Sequence, residues 1–146
     1  MFAALKRRLT DGLDGVLGRY TADKELLEGA MAACAMIAAA DGHVSPTEKS
    51  KIGGFIRRHE TMRHFDASQA VDLFNKYADG FEFDPGLGAD ACLKEMRQVK
   101  GEEKRRLLVL VALAVGKADG DLAEAEKKAV GRIVDELGLS RADFGL

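Results

Sequence analysis

The sequence predicts an all-α fold: a single-domain bundle of about seven helices over residues 1–146, with an internal pseudo-twofold repeat. Three observations carry this. Apolar residues recur at three-to-four spacing, as on the buried stripe of a helix. β-branched and aromatic residues nowhere alternate at period two, so no strands are expected. The chain also repeats itself. Shifted by 78 residues, Ala40-Asp41-Gly42-His43-Val44-Ser45-Pro46-Thr47-Glu48-Lys49 lies over Ala118-Asp119-Gly120-Asp121-Leu122-Ala123-Glu124-Ala125-Glu126-Lys127. Ala, Asp, Gly, Glu and Lys are identical, and Ile37/Val115, Val44/Leu122 and Ile52/Val130 keep the apolar frame.

A first amphipathic segment over 2–18, within an N-terminal stretch 1–20, spaces Phe2, Leu5, Leu9, Leu13, Val16 and Leu17 along one side. Gly12, Gly15 and Gly18 weaken it as a helix. A second helix, 22–40, ends at the Asp41-Gly42 turn signal. Ser45-Pro46-Thr47-Glu48 reads as a capping box with proline at N1. There Ser45 accepts from the Glu48 N–H and Glu48 reaches back to the Ser45 backbone, which opens a third helix over 46–60. A fourth starts at the N-cap Asp66, with Gln69 at N3, and runs to Tyr77. A fifth opens with Asp84-Pro85 and stops at Gly101. A sixth covers 102–118. A seventh covers 123–137 and stops at Gly138, by the glycine preference at C′. Residues 140–146 make a last turn. The repeat units, 22–60 and 102–138, are each a buried helix, an Asp-Gly turn and a second helix. Two such hairpins pack about a pseudo-twofold axis, with the intervening helices completing the bundle.

The 146 residues are 47% apolar and 32% charged, the balance of a globular protein. A net charge of −2 gives no bulk pull on nucleic acid. The runs Met31–Ala40 and Leu107–Gly116 are each ten residues, half of what a membrane span needs. Lys6, Arg7 and Arg8 precede no apolar signal-peptide core. The expected location is the cytoplasm. The N-terminal segment either packs on the bundle or lies on a membrane surface with Lys6, Arg7, Arg8 and Arg19 outward. Cys34 and Cys92, in apolar helical surroundings, read as small hydrophobes in a reducing compartment.

The repeat turn, Asp-Gly-x-(Val/Leu)-x-x-x-Glu, matches the second half of an EF-hand loop. Positions 1 and 3, normally carboxylates, are Ile37 and Ala39 in the first unit and Val115 and Lys117 in the second. Calcium takes six to eight oxygens, so either loop would bind weakly. Asp121 and Glu124 add carboxylates to the second. Two readings stand side by side. Asp41 and Asp119 close turns while Glu48 and Glu126 cap helices at N3. Alternatively, Asp41, Glu48, Asp119, Asp121 and Glu126 gather at one end of the bundle and share a divalent cation (calcium, zinc or manganese).

Charge falls in blocks. Lys49, Lys51, Arg57, Arg58 and Arg63 make 49–64 basic, whereas Asp66, Asp72, Asp79, Glu82, Asp84 and Asp90 make 66–90 acidic. The expectation is a molecule with a basic and an acidic side, suited to docking a charged protein partner. His59-Glu60-Thr61-Met62-Arg63-His64 lacks zinc-protease spacing, because five residues put the histidines on different faces. Met31, Met36, Met62 and Met96 read as core filler. No catalytic triad, Cys-His pair or phosphate loop is present, so no enzyme is expected. Redox chemistry at Cys34 or Cys92 would need an exposed thiol of low pKa, and an anion would need the basic side or a helix N-terminus.

The ordered set of motifs resembles the TerB family of tellurite-resistance proteins. It comprises Ala39–Lys49 and Lys117–Lys127, His64-Phe65-Asp66, Phe74-Asn75-Lys76 with Phe81-Glu82-Phe83-Asp84, and Glu136-Leu137-Gly138-Leu139 through Ala142–Leu146, with Gly18-Arg19-Tyr20 near the start. The resemblance spans the chain. It implies an all-α fold of about seven helices and a cytoplasmic bacterial protein of the tellurite-resistance and chemical-stress system. The role it implies is non-enzymatic, beside a membrane protein, TerC, and calcium-binding TerD-type proteins. It also marks Asp41, Glu48, Asp119 and Glu126 as the family's suspected metal positions. His43 departs from the small or acidic residue usual there, which weakens the first loop as a cation site.

Overall fold

The computed structural model describes residues 12–42, 44–116 and 122–146. Among these it is all-α, with seven α-helices and no strand. They are α1 (Leu13–Leu17), α2 (Lys24–Ala38), α3 (Pro46–Arg58), α4 (Ala67–Phe83), α5 (Pro85–Arg97), α6 (Glu102–Gly116) and α7 (Glu124–Glu136). Short 3-10 turns follow α1, α3 and α7, the last at Arg141–Phe144.

Helix α2 is the axis of the bundle. It packs against α4, α5, α6 and α7, and from Leu26 to Ala38 only Glu28 escapes burial. Alanine suits this position twice, as the best helix former and as a small side chain that admits close neighbours. Gly29 admits the tightest approach on this helix, since a Cβ there would stand 2.7 Å from Val99 Cγ2 and 3.2 Å from Leu108 Cδ2. Around α2 the core collects Leu93 and Met96 of α5, Leu108 and Leu113 of α6, and Val130 and Ile133 of α7. Met31, Met36, Met62 and Met96 are all buried there, as core filler should be.

The caps follow the sequence closely. Asp23, Asp66 and Asp84 accept the N–H groups of Leu26, Gln69 and Leu87 at 2.9, 3.1 and 2.9 Å. Helix α7 ends in a Schellman turn, with Gly138 at φ 70°, its N–H on Asp135 O and the Leu139 N–H on Val134 O. Arg105 of α6 does what the first residues of a next turn would otherwise do. Its guanidinium donates to Val99 O (2.8 Å), Arg97 O (3.0 Å) and Leu137 O (3.1 Å), so one side chain holds the ends of α5 and α7.

Several boundaries differ from expectation. Helix α4 runs to Phe83, six residues beyond Tyr77, because Ala78 and Phe81 continue the buried stripe Ala70, Val71, Phe74, Tyr77. Helix α5 ends at Arg97, before Gly101, and Arg105 takes the freed carbonyls. Helix α3 stops at Arg58, where His59 leaves helical conformation. Of the first segment, Leu13–Leu17 is helical; residues 2–11 lie outside the described residues.

Candidate functional site

The first repeat turn leaves Asp41 exposed, with Gly42 at φ 116°, where a side chain would be strained. Three residues on, Ser45 is the N-cap of α3. Its hydroxyl accepts from the Glu48 N–H at 3.1 Å. The expected reciprocal bond differs: the Glu48 carboxylate accepts from the Ser45 hydroxyl, also at 3.1 Å, in place of the Ser45 backbone N–H. In the second unit Ala123 takes the N-cap place. Glu126, at N3, accepts from the Ala123 N–H at 2.7 Å. Alanine has no oxygen to return the bond, so half of the box is made. Asp119 and Asp121 lie outside the described residues, as does His43. Among the described residues no three His, Cys, Asp or Glu side chains are grouped to hold a metal ion.

One groove adjoins both units. Gly42 from the first turn and Ala125 from the start of α7 both line a hollow of about 330 Å³. Its floor is apolar, with Met36 of α2, Phe81 of α4 and Ala89 of α5, and Lys128 and Arg132 of α7 stand along it.

The charged candidates divide into two groups. Lys49 bonds Asp79 at 2.5 Å and Glu82 at 3.4 Å, so residues expected on opposite sides join α3 to α4. Both carboxylates hold the ammonium charged, Asp79 foremost, and its pKa rises. Asp66 and Asp84 serve as caps, and Asp72 is exposed on α4. Lys51, Arg57 and Arg58 are exposed on α3, and among the described residues none forms an ion pair. Arg57 overhangs a groove of about 650 Å³ between α3 and α4, beside Gly53, Gly54 and Asn75. Arg58 overhangs another of about 660 Å³, beside Phe55 and His59.

The histidines do separate tasks, as their spacing predicts. His59 Nδ1 accepts from the Thr61 N–H at 3.0 Å. His64 Nε2 lies 2.8 Å from Asp14 of α1, which Arg63 also contacts. Cys34 and Cys92 are both buried. Burial, with Glu95 nearby, pushes the Cys92 thiol up to about 12, far from the thiolate that oxyanion reduction requires.

Sequence reasoning missed Phe83 and Leu87, the two large apolar side chains left exposed among the described residues. The signal was available: Phe83 falls two residues past Phe81, on the opposite side of α4 from the buried stripe.

No described helix is long and apolar enough to cross a membrane. A family model, tellurite resistance protein TerB, matches residues 27–146. A curated relative, the tellurium resistance protein TerB of an Alcaligenes species, is 34% identical over 112 residues, covering 75% of this chain and 91% of its own. No solved structure matches the chain significantly. The all-helical order and these two matches agree: the chain belongs to the TerB family of tellurite-resistance proteins.

Proposed function

We propose that the chain is a non-enzymatic component of the bacterial tellurite-resistance and chemical-stress system, a protein-binding module working in the cytoplasm beside the inner membrane. The observation that carries this is the row Lys51, Arg57 and Arg58 on α3: three exposed cations without an ion partner among the described residues, two of them over grooves. Cations held by the fold but left unneutralised steer and select a partner of opposite sign. The partner is a protein with an acidic surface, and the membrane protein TerC is the expected one; nucleic acid is not. The acidic residues Asp66, Asp72, Asp79, Glu82 and Asp84 offer a second, weaker set, since Asp66 and Asp84 are engaged as caps and Asp79 and Glu82 are engaged with Lys49. The test is chemical cross-linking and capture from cells exposed to tellurite, comparing the wild type with a Lys51→Glu/Arg57→Glu/Arg58→Glu variant. Loss of a membrane-fraction partner in the variant supports the module; an unchanged partner set overturns it.

A second reading, binding of a divalent cation, has one observation in its favour. Gly42 of the first turn and Ala125 at the start of α7 line the same groove, which supports a shared site for the two turns. It accords with pseudo-twofold hairpins over 22–60 and 102–138 within one domain, 1–146. The N-caps support that symmetry too: Ser45 has φ −67° and ψ 158°, and Ala123 φ −68° and ψ 163°. The ligands would be Asp41 and Glu48 with Asp119, Asp121 and Glu126. An all-carboxylate set fits calcium or manganese better than zinc. Calorimetric titration of metal-free protein with the three ions tests this. Saturable heat that an Asp119→Asn/Glu126→Gln variant loses supports it; no heat below millimolar metal leaves these residues as caps and turn formers.

A further inference from the structure

The elbow between α4 and α5 and the groove beside it have the form of two halves of one contact. Residues 82–87 are all exposed, and within them Phe83 is 86% and Leu87 58% accessible. Carboxylates surround this knob: Glu82 and Asp84 flank the ring in sequence, and Asp79 and Asp90 stand about a turn to either side. An apolar knob in an acidic ring is repelled by an anionic lipid surface and suits an apolar hollow edged with cations.

Such a hollow adjoins it. Phe81 and Pro85, two residues to either side of Phe83, line the groove of about 330 Å³. Ala125 and Ala129 of α7 line it as well, and Lys128 and Arg132, four residues apart on one face of α7, supply the cations. Lys128 has no ion pair among the described residues, and Arg132 reaches only Asp90, at 3.7 Å. Phe83 does not fill this hollow itself, because it points about 200° around α4 from Phe81. Knob and hollow therefore lie side by side on one surface, each complementary to the other in shape and sign. A twofold axis between them places both knobs in both hollows, the arrangement of a closed, isologous pair.

We infer that the α4–α5 elbow and the adjoining groove are a self-association surface whose occupant is a second copy of this chain. Phe83 of each copy enters the hollow of the other, and Glu82 faces Lys128 across the axis. The contact goes beyond the docking role and uses none of Lys51, Arg57 and Arg58; Glu82 also bonds Lys49 of its own copy, at 3.4 Å.

Sedimentation equilibrium on the purified full chain tests it, with circular dichroism confirming that each variant is folded. The wild type should show a concentration-dependent dimer. Phe83→Asp alters an exposed residue and should weaken it at least roughly tenfold, the loss of one good apolar anchor. Lys128→Glu should weaken it too, and adding Glu82→Lys should recover most of the affinity. A wild type that stays monomeric up to roughly 1 mM overturns the inference, since a contact of only about 4 kcal/mol would show there. So does a dimer that Phe83→Asp leaves unchanged, or a double charge swap weaker than Lys128→Glu alone.

Discussion

Replacing Gly88 with alanine probes the crossing that shapes the α4–α5 elbow. A Cβ on Gly88 would stand 2.9 Å from Phe81 N, 3.0 Å from Gly80 C and 3.0 Å from Phe81 Cα, all of them backbone atoms of α4. No side chain can swing aside, so the helices must part by roughly half an ångström, and the buried Ala89 and Cys92 move with α5. Overpacking of this kind costs up to about 3 kcal/mol. Alanine recovers about 1 kcal/mol as the better helix former. The net loss is about 2 kcal/mol, a fall in Tm of roughly 4–8 °C for a chain of this size. Gly53→Ala is the matched control: its Cβ would meet only Val71 Cγ1, at an ordinary 3.8 Å. That variant should gain up to about 1 kcal/mol. Urea unfolding followed by far-UV circular dichroism measures both. Gly88→Ala at or above wild-type stability would refute the close-crossing argument, and equal effects at the two sites would show that helix propensity alone decides.

Four other substitutions follow from the same geometry. Arg105→Met keeps the aliphatic stem and removes three hydrogen bonds to helix-end carbonyls; at about 1 kcal/mol net for each, partly exposed, the loss should be about 2–3 kcal/mol by urea unfolding. Ala123→Ser completes a cap that Glu126 already half makes and should add about 0.5–1 kcal/mol, while Ser45→Ala in the first unit should remove about as much. Asp23 and Lys104 form an ion pair at 2.9 Å. Burial opposes the charge on each, but the Leu26 N–H and Lys104 outweigh it at Asp23, and Asp23 with Glu25 outweigh it at Lys104. The Asp23 pKa is thereby lowered and that of Lys104 raised. The pair's stability is present above the ordinary carboxylate value and lost as pH falls through the lowered one. At the alkaline end it is present below the ordinary lysine value and lost as pH rises through the raised one. Lys104→Met should therefore cost at most about 1 kcal/mol at pH 7 and nothing at either extreme, measured as thermal unfolding across pH.

The fold was legible where local chemistry decides it. N-cap aspartates, N1 prolines and a C′ glycine act within four residues, and Asp66, Asp84 and Gly138 do as their neighbours require. The boundaries that moved depend on distant partners. Helix α4 outruns Tyr77 because Phe81 finds the core across the bundle, and α5 can stop at Arg97 because Arg105 reaches back to it. The charge blocks misled for the same reason. Lys49 and Asp79 are 30 residues apart, yet they bond across α3 and α4, while Lys51, Arg57 and Arg58 on the same basic stretch stay free of ion pairs among the described residues. Composition reports how many charges a segment carries; only packing reports which are already neutralised.

On the proposed function, Lys51, Arg57 and Arg58 of α3 dock the molecule to its partner in tellurite resistance. Growth on tellurite of a strain lacking the chain, complemented with the Lys51→Glu/Arg57→Glu/Arg58→Glu variant, tests it most directly. All three residues are exposed and the variant should fold and accumulate normally. The triple variant should fail to restore resistance, while Gly53→Ala should restore it fully. Wild-type resistance from the triple variant at equal protein level would contradict it.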